Sequence, residues 1–127
     1  MNVVDSSGWL EYFAAGHNTL FFTPIIEQPK QLIVPVITVY EVFKPVLQQT
    51  DEHNALQAVA VMLQGRIVEV DSIIALDAAR LSIRHKLPMA DSLILATALL
   101  HNATLWTEDA HFAQIAGVQY KAKAKHP

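Results

Sequence analysis

Cysteine is absent from the 127 residues. That excludes disulfides, thiolate metal sites and a cysteine nucleophile, and it fits a reducing compartment. Glycine is scarce: the chain has four, and none belongs to a Gly-rich phosphate loop. There is no Gly-x-Ser-x-Gly elbow of a serine hydrolase. The histidines His17, His53, His85, His101, His111 and His126 form no His-x₃-His or His-Glu-x-x-His pattern. Surface or capping roles are therefore expected for them, not zinc ligation. Long apolar runs are missing too, because Glu11, Pro24, Glu27, Pro35, Glu41 and Pro45 interrupt the greasiest stretches. The start Met1-Asn2-Val3-Val4-Asp5 lacks the basic segment of a secretory signal. These absences predict a cytoplasmic protein with no membrane association.

Charge is also thin. Charged residues make up 17% and hydrophobic residues 52%, against roughly 25% charged in ordinary domains. At one domain's length this implies a large core, or apolar surface that meets a partner. The formal net charge of −3 argues against gripping nucleic acid by bulk charge. An acidic pocket alters that sum: leaving out four carboxylates gives −3 + 4 = +1. Lys121, Lys123 and Lys125, with His126, read as a flexible basic tail over 121–127.

No internal repeat, low-complexity tract or linker divides residues 1–127, which read as one domain. Short apolar strands are expected at 2–5, 32–35, 67–70, 104–106 and 118–120, the last at an edge. Helices are expected at 7–15, ended by Gly16, and at 19–28, with Pro24 near the first turn. Others should cover 36–49, kinked at Pro45, and 51–64, capped by Asp51. Two more should run from Asp71 or Ser72 to His85 and from Pro88 to His101. Strands alternating with helices predict a three-layer α/β/α fold around a mostly parallel five-stranded sheet.

Against that frame, four acids stand out. Asp5 closes the first strand and Asp109 lies just past the fourth. Glu41 and Asp91 fall in the first two turns of helices. Each has an ordinary alternative: Asp5 suits a helix N-cap, Glu41 a solvated face, Asp91 a helix dipole and Asp109 a turn. Jointly they fall along one edge of a parallel sheet, where strand carboxyl ends and helix starts meet and ligands bind. Glu41 and Asp91 also interrupt apolar segments, where an acid is costly unless paired or bound to a cation. Converging carboxylates repel one another, and hard cations such as Mg²⁺ or Mn²⁺ remove the repulsion. Such ions support in-line phosphodiester hydrolysis by activated water. Ser6, Ser7 and Thr107 are placed to hydrogen-bond these carboxylates, although Ser6 suits capping equally and Ser7 suits it better. Asp71 reads as a cap, Glu108 should point away from Asp109, and Arg80 and Arg84 share one helical face.

The segments Val3-Val4-Asp5-Ser6-Ser7, Val39-Tyr40-Glu41-Val42, Ala90-Asp91-Ser92-Leu93-Ile94-Leu95-Ala96-Thr97-Ala98 and Leu105-Trp106-Thr107-Glu108-Asp109-Ala110-His111-Phe112 resemble, in order and spacing, the motifs of PIN-domain ribonucleases. Within that family the chain is similar to the VapC-type toxins of bacterial toxin–antitoxin pairs. The resemblance implies Asp5, Glu41, Asp91 and Asp109 as the metal site, with Thr107 in support. It implies an endoribonuclease using Mg²⁺ or Mn²⁺, a homodimer and a cognate antitoxin protein. The chain departs from the pattern at His111, where some relatives carry a further acid, and at Leu87-Pro88-Met89, where relatives often have a glycine. A phospho-receiver signalling domain, with similar length and an acidic Mg²⁺ pocket, is the alternative. It lacks support from an acid pair after the first strand and leaves Glu41 and Asp91 unexplained.

Overall fold

A computed structural model describes residues 1–124. Five short strands form one sheet: β1 (Asn2–Val4), β2 (Leu32–Pro35), β3 (Arg66–Val68), β4 (Thr104–Thr107) and β5 (Val118–Tyr120). Their order is β3-β2-β1-β4-β5, and every neighbouring pair is parallel. Parallel neighbours need crossover connections, and helices supply them here. These are α1 (Ser6–Ala14), α2 (Thr19–Ile26), α3 (Val36–Gln49), α4 (Glu52–Met62), α5 (Ser72–His85) and α6 (Met89–Leu100).

Strand side chains alternate between the two faces, and the core divides accordingly. Val3, Ile33 and Leu105 pack with α5 and α6 through Ile74, Ala78, Leu81, Ile94 and Leu95. Val4, Leu32 and Val34 pack with the other helices through Trp9, Phe22, Val42, Ala58 and Met62. The α/β/α layering expected from the alternating pattern is therefore present, and the sheet is wholly parallel.

The differences lie at element ends. Strand β3 starts at Arg66 and stops at Val68, because Glu69 and Val70 turn toward the Asp71 cap of α5. Helix α2 stops at Ile26, with Pro24 inside it and not in its first turn; a 3₁₀ turn at Pro29–Gln31 follows. The left-handed residue ending α1 is Ala15 (φ 51°), one before Gly16. Gly16 lies against the Glu11 carboxylate, which a side chain there would displace. Residues 121–124 have no regular structure, but the start of the basic segment is tied down. The Lys121 N–H donates to Thr107 O at 3.0 Å, and Asn18 Nδ2 donates to Ala122 O at 3.0 Å. Lys125 and His126 lie outside the described residues. Among the described residues, no helix is long and apolar enough to cross a membrane.

Candidate metal centre

Parallel strands deliver their carboxyl ends to one edge, and four of the predicted acids gather there. Asp5 follows β1 directly and is 2% exposed. It caps α1, because Asp5 Oδ1 accepts the Gly8 N–H at 3.0 Å. The same oxygen accepts Ser7 Oγ–H at 2.8 Å, and Asp5 Oδ2 accepts Thr107 Oγ1–H at 2.8 Å. A carboxylate offers about four lone-pair sites, so capping leaves one on Oδ2 for a ligand. Cap and candidate ligand are thus compatible roles for one side chain. Burial nevertheless dominates its acidity: desolvation outweighs these three hydrogen bonds, and nearby Asp109 adds repulsion, pushing the carboxyl up to about 7.

Thr107 joins two of the acids. Its hydroxyl donates to Asp5 and accepts the Asp109 N–H at 2.9 Å. Asp109 in turn caps the 3₁₀ turn Ala110–Phe112 through the His111 N–H, at 2.9 Å. Asp91 sits in the first turn of α6 and is half-buried. Burial does most to push its pKa above the ordinary carboxylate value, with repulsion from Asp109 and Glu41 adding and the His111 hydrogen bond opposing. Glu41, in the second turn of α3, is positioned by Ser6, whose Oγ donates to Glu41 Oε1 at 2.6 Å. Ser6 and Ser7 therefore both hold candidate ligands. The α1 cap itself is Asp5, which relieves both serines of that duty.

One candidate was missed. His111 Nδ1 lies 3.1 Å from Asp91 Oδ2 and 3.3 Å from Asp109 Oδ1. Ligand atoms of Asp91, Asp109 and His111 lie within 4.8 Å of one another. Asp5 and Glu41 fall outside that triplet and border it. His111 has the exposed position expected for the histidines, and its ring also faces two carboxylates. The departure at His111, where some relatives carry a further acid, was the available signal. The donor set is otherwise oxygen-rich, and two of its carboxyls are held above their ordinary pKa by burial and mutual repulsion. These residues fit a hard divalent cation. As expected, Asp71 is a cap, accepting the Ile74 N–H at 2.9 Å. Arg80 pairs with Asp77 at 2.8 Å on an exposed face. Glu108 turns inward, 4% exposed, and accepts Asn18 Nδ2–H at 3.0 Å.

Comparison with known proteins agrees with this geometry. The PIN-domain family profile matches residues 3–118, and the chain belongs to that family. It is similar in structure to a toxin–antitoxin complex from Klebsiella pneumoniae, at 26% identity and TM-score 0.77, covering 93% of this chain and 95% of that one. It also resembles VapC20 of Mycobacterium tuberculosis, a toxin that cleaves the sarcin–ricin loop, at 16% identity and TM-score 0.77, with 94% and 98% covered. VapBC-1 of Haemophilus influenzae matches at 17% identity and TM-score 0.72, with 95% and 96% covered. Comparison with curated protein sequences gives no match.

Proposed function

We propose that this chain is a metal-dependent endoribonuclease, the toxin of a toxin–antitoxin pair, acting on RNA in the cytoplasm. The observation that carries the reading is the gathering of Asp5, Glu41, Asp91 and Asp109 at one sheet edge, held there by Thr107 and Ser6. Those four acids are the proposed ligands of Mg²⁺ or Mn²⁺. When bound, the ion neutralises the carboxylates, lowers the pKa of a coordinated water and balances charge developing on the phosphodiester. The protein's part is positioning. Thr107 and Ser7 hold the Asp5 carboxylate, Ser6 aims Glu41, and the buried floor around Asp5 limits competing solvent.

Toxin–antitoxin neighbours and the apolar surface support an antitoxin partner and a homodimer. Ile83 and Leu20 are each 83% exposed and Met89 is 73% exposed, apolar surface that a partner could cover. A phospho-receiver is disfavoured. Receivers of the flavodoxin-like type order their sheet 2-1-3-4-5, whereas β3 here is an edge strand. The deciding experiment compares wild type with Asp5→Asn on RNA, with Mn²⁺ or with chelator. Cleavage confined to wild type with metal is expected. Equal cleavage in all four conditions would sink the nuclease reading.

A further inference from the structure

A cleft of about 510 Å³ opens beside the acidic centre, between the start of α1 and the end of β5. Ser7, Asp109, Tyr120 and Lys123 are among the residues that line it. Its volume lies within the range of small-ligand sites. We propose that this cleft seats one nucleotide of the RNA strand next to the phosphate being cut, with Tyr120 as the stacking face and Lys123 as the phosphate contact. The proposal rests on the nuclease reading and deepens it to a substrate subsite.

Three observations support it. First, the cleft is continuous with the candidate metal centre, since Asp109 belongs to both and Ser7 bonds to Asp5. A base seated there belongs to a nucleotide neighbouring the one that meets the acids. Second, the ladder pairs Tyr120 with Thr107, the residue that links Asp5 to Asp109. Tyr120 is half-buried at a strand end and lines the cleft, so part of it still meets solvent. Aromatic rings of this kind stack on any base, because each base has a π-face. Third, one cation, Lys123, lines the cleft beside the acidic centre. Lysines contribute phosphate contacts without sequence preference.

Glu108 also lines the cleft and would repel a phosphate if it faced one. It is turned inward instead, bonded to Asn18 and close to Lys123, whose charge offsets it. A phosphate at this place would share Lys123 with Glu108, whose second partner, Asn18, stays bonded to it.

The test is a titration of the full chain, with Mg²⁺ present, followed by amide chemical shifts. The ligands are the four ribonucleoside 5′-monophosphates and, separately, inorganic phosphate. Nucleotides are expected to shift Ala110, Tyr120 and Ala122, and to bind more tightly than phosphate alone. Tyr120→Ala should weaken nucleotide binding roughly tenfold, the scale of one lost base–aromatic stack. Tyr120→Phe should restore it, and Lys123→Ala should weaken nucleotide and phosphate alike. Equal affinity for nucleotide and phosphate would overturn the proposal, as would shifts remote from the cleft. So would unchanged affinity in both Tyr120→Ala and Lys123→Ala. Thermal melts of the variants separate lost binding from lost folding. No turnover is needed, so failure here is distinct from failure of the Asp5→Asn cleavage comparison.

Discussion

Thr107 Oγ1 stands 2.8 Å from Asp5 Oδ2 and 2.9 Å from the Asp109 amide, so one hydroxyl sets the spacing of two acids that lie 104 residues apart. Thr107→Val keeps the shape and removes both bonds. It leaves a carboxylate and an N–H short of partners, which costs about 1.5–3 kcal/mol where a charged group is involved. Loss of a bond that orients a metal ligand costs about 10–100-fold in metal affinity or activity. Thr107→Val is therefore expected to melt earlier and to bind Mn²⁺ at least tenfold more weakly by calorimetry, whereas Thr107→Ser stays near wild type. Wild-type Mn²⁺ affinity in Thr107→Val would show that the hydroxyl does not position the site.

Stability without metal should fall as pH rises. The Asp5 carboxyl is pushed up to about 7 in the folded chain, against an ordinary value of 3.8. Between those values the folded state binds more protons than the unfolded one, so the slope of stability against pH is negative. The Asp5 contribution is full below about pH 4 and is lost as pH climbs through about 7. Asp91 and Glu108 shift the same way. Melting temperature in chelator should therefore drop from pH 5 to pH 8, Asp5→Asn should flatten part of that drop, and Mn²⁺ should restore stability at pH 8. A pH profile of Asp5→Asn parallel to that of wild type would remove Asp5 as the cause.

Much of the site was legible because parallel-sheet topology makes position along the chain a guide to position in space. An acid just past a strand and an acid in the next helix's opening turns must meet at one edge, whatever the loops do. Roles within the edge were less legible, because they depend on the register of short turns. Asp5 is a cap and a candidate ligand at once, a combination that weighing one role against the other obscures. Glu108 alternates away from Asp109 as expected, but the Asn18 amide that receives it comes from 90 residues away. His111 faces Asp91 only because the chain after Asp109 coils into a 3₁₀ turn, which has no periodic signal in three residues.

His111 leads to a directional prediction. Its ring nitrogen shares the space between Asp91 and Asp109 that a cation would use. His111→Asp replaces that nitrogen with a carboxylate and makes the donor set harder. The expected result is several-fold tighter Mn²⁺ binding at pH 7, together with lower stability in chelator, because a further like charge joins the cluster. Weaker Mn²⁺ binding by His111→Asp, with the fold intact, would mean that the histidine nitrogen itself serves the metal.

Ser6 offers a cleaner separation of chemistry from folding. Its hydroxyl bonds to Glu41 at 2.6 Å across 35 residues, and both side chains are only part-buried. Ser6→Ala therefore opens no large core cavity and should leave the melting temperature within a few degrees. Cleavage should fall about tenfold as Glu41 loses its orientation. Unchanged cleavage would place Glu41 outside the working set, leaving Asp5, Asp91 and Asp109.

Gly8 connects the core to the site most directly. Its N–H is one of the donors holding Asp5 Oδ1. A Cβ at this position would lie 2.6 Å from Phe22 Cε1 and 2.6 Å from Val4 Cγ1, both on fully buried residues. Neither neighbour can move far, since Phe22 and Val4 belong to the packed layer between sheet and helices. Overpacking of this kind costs about 1–3 kcal/mol. The relaxation open to Gly8→Ala is a shift of the first turn of α1, which carries Ser6, Ser7 and the Asp5 cap along with it. The variant should therefore lose stability and Mn²⁺ affinity together, and at a temperature where it remains folded it should still bind Mn²⁺ more weakly than wild type. Loss of stability alone, with wild-type affinity in the folded fraction, would show that the centre is indifferent to where α1 begins.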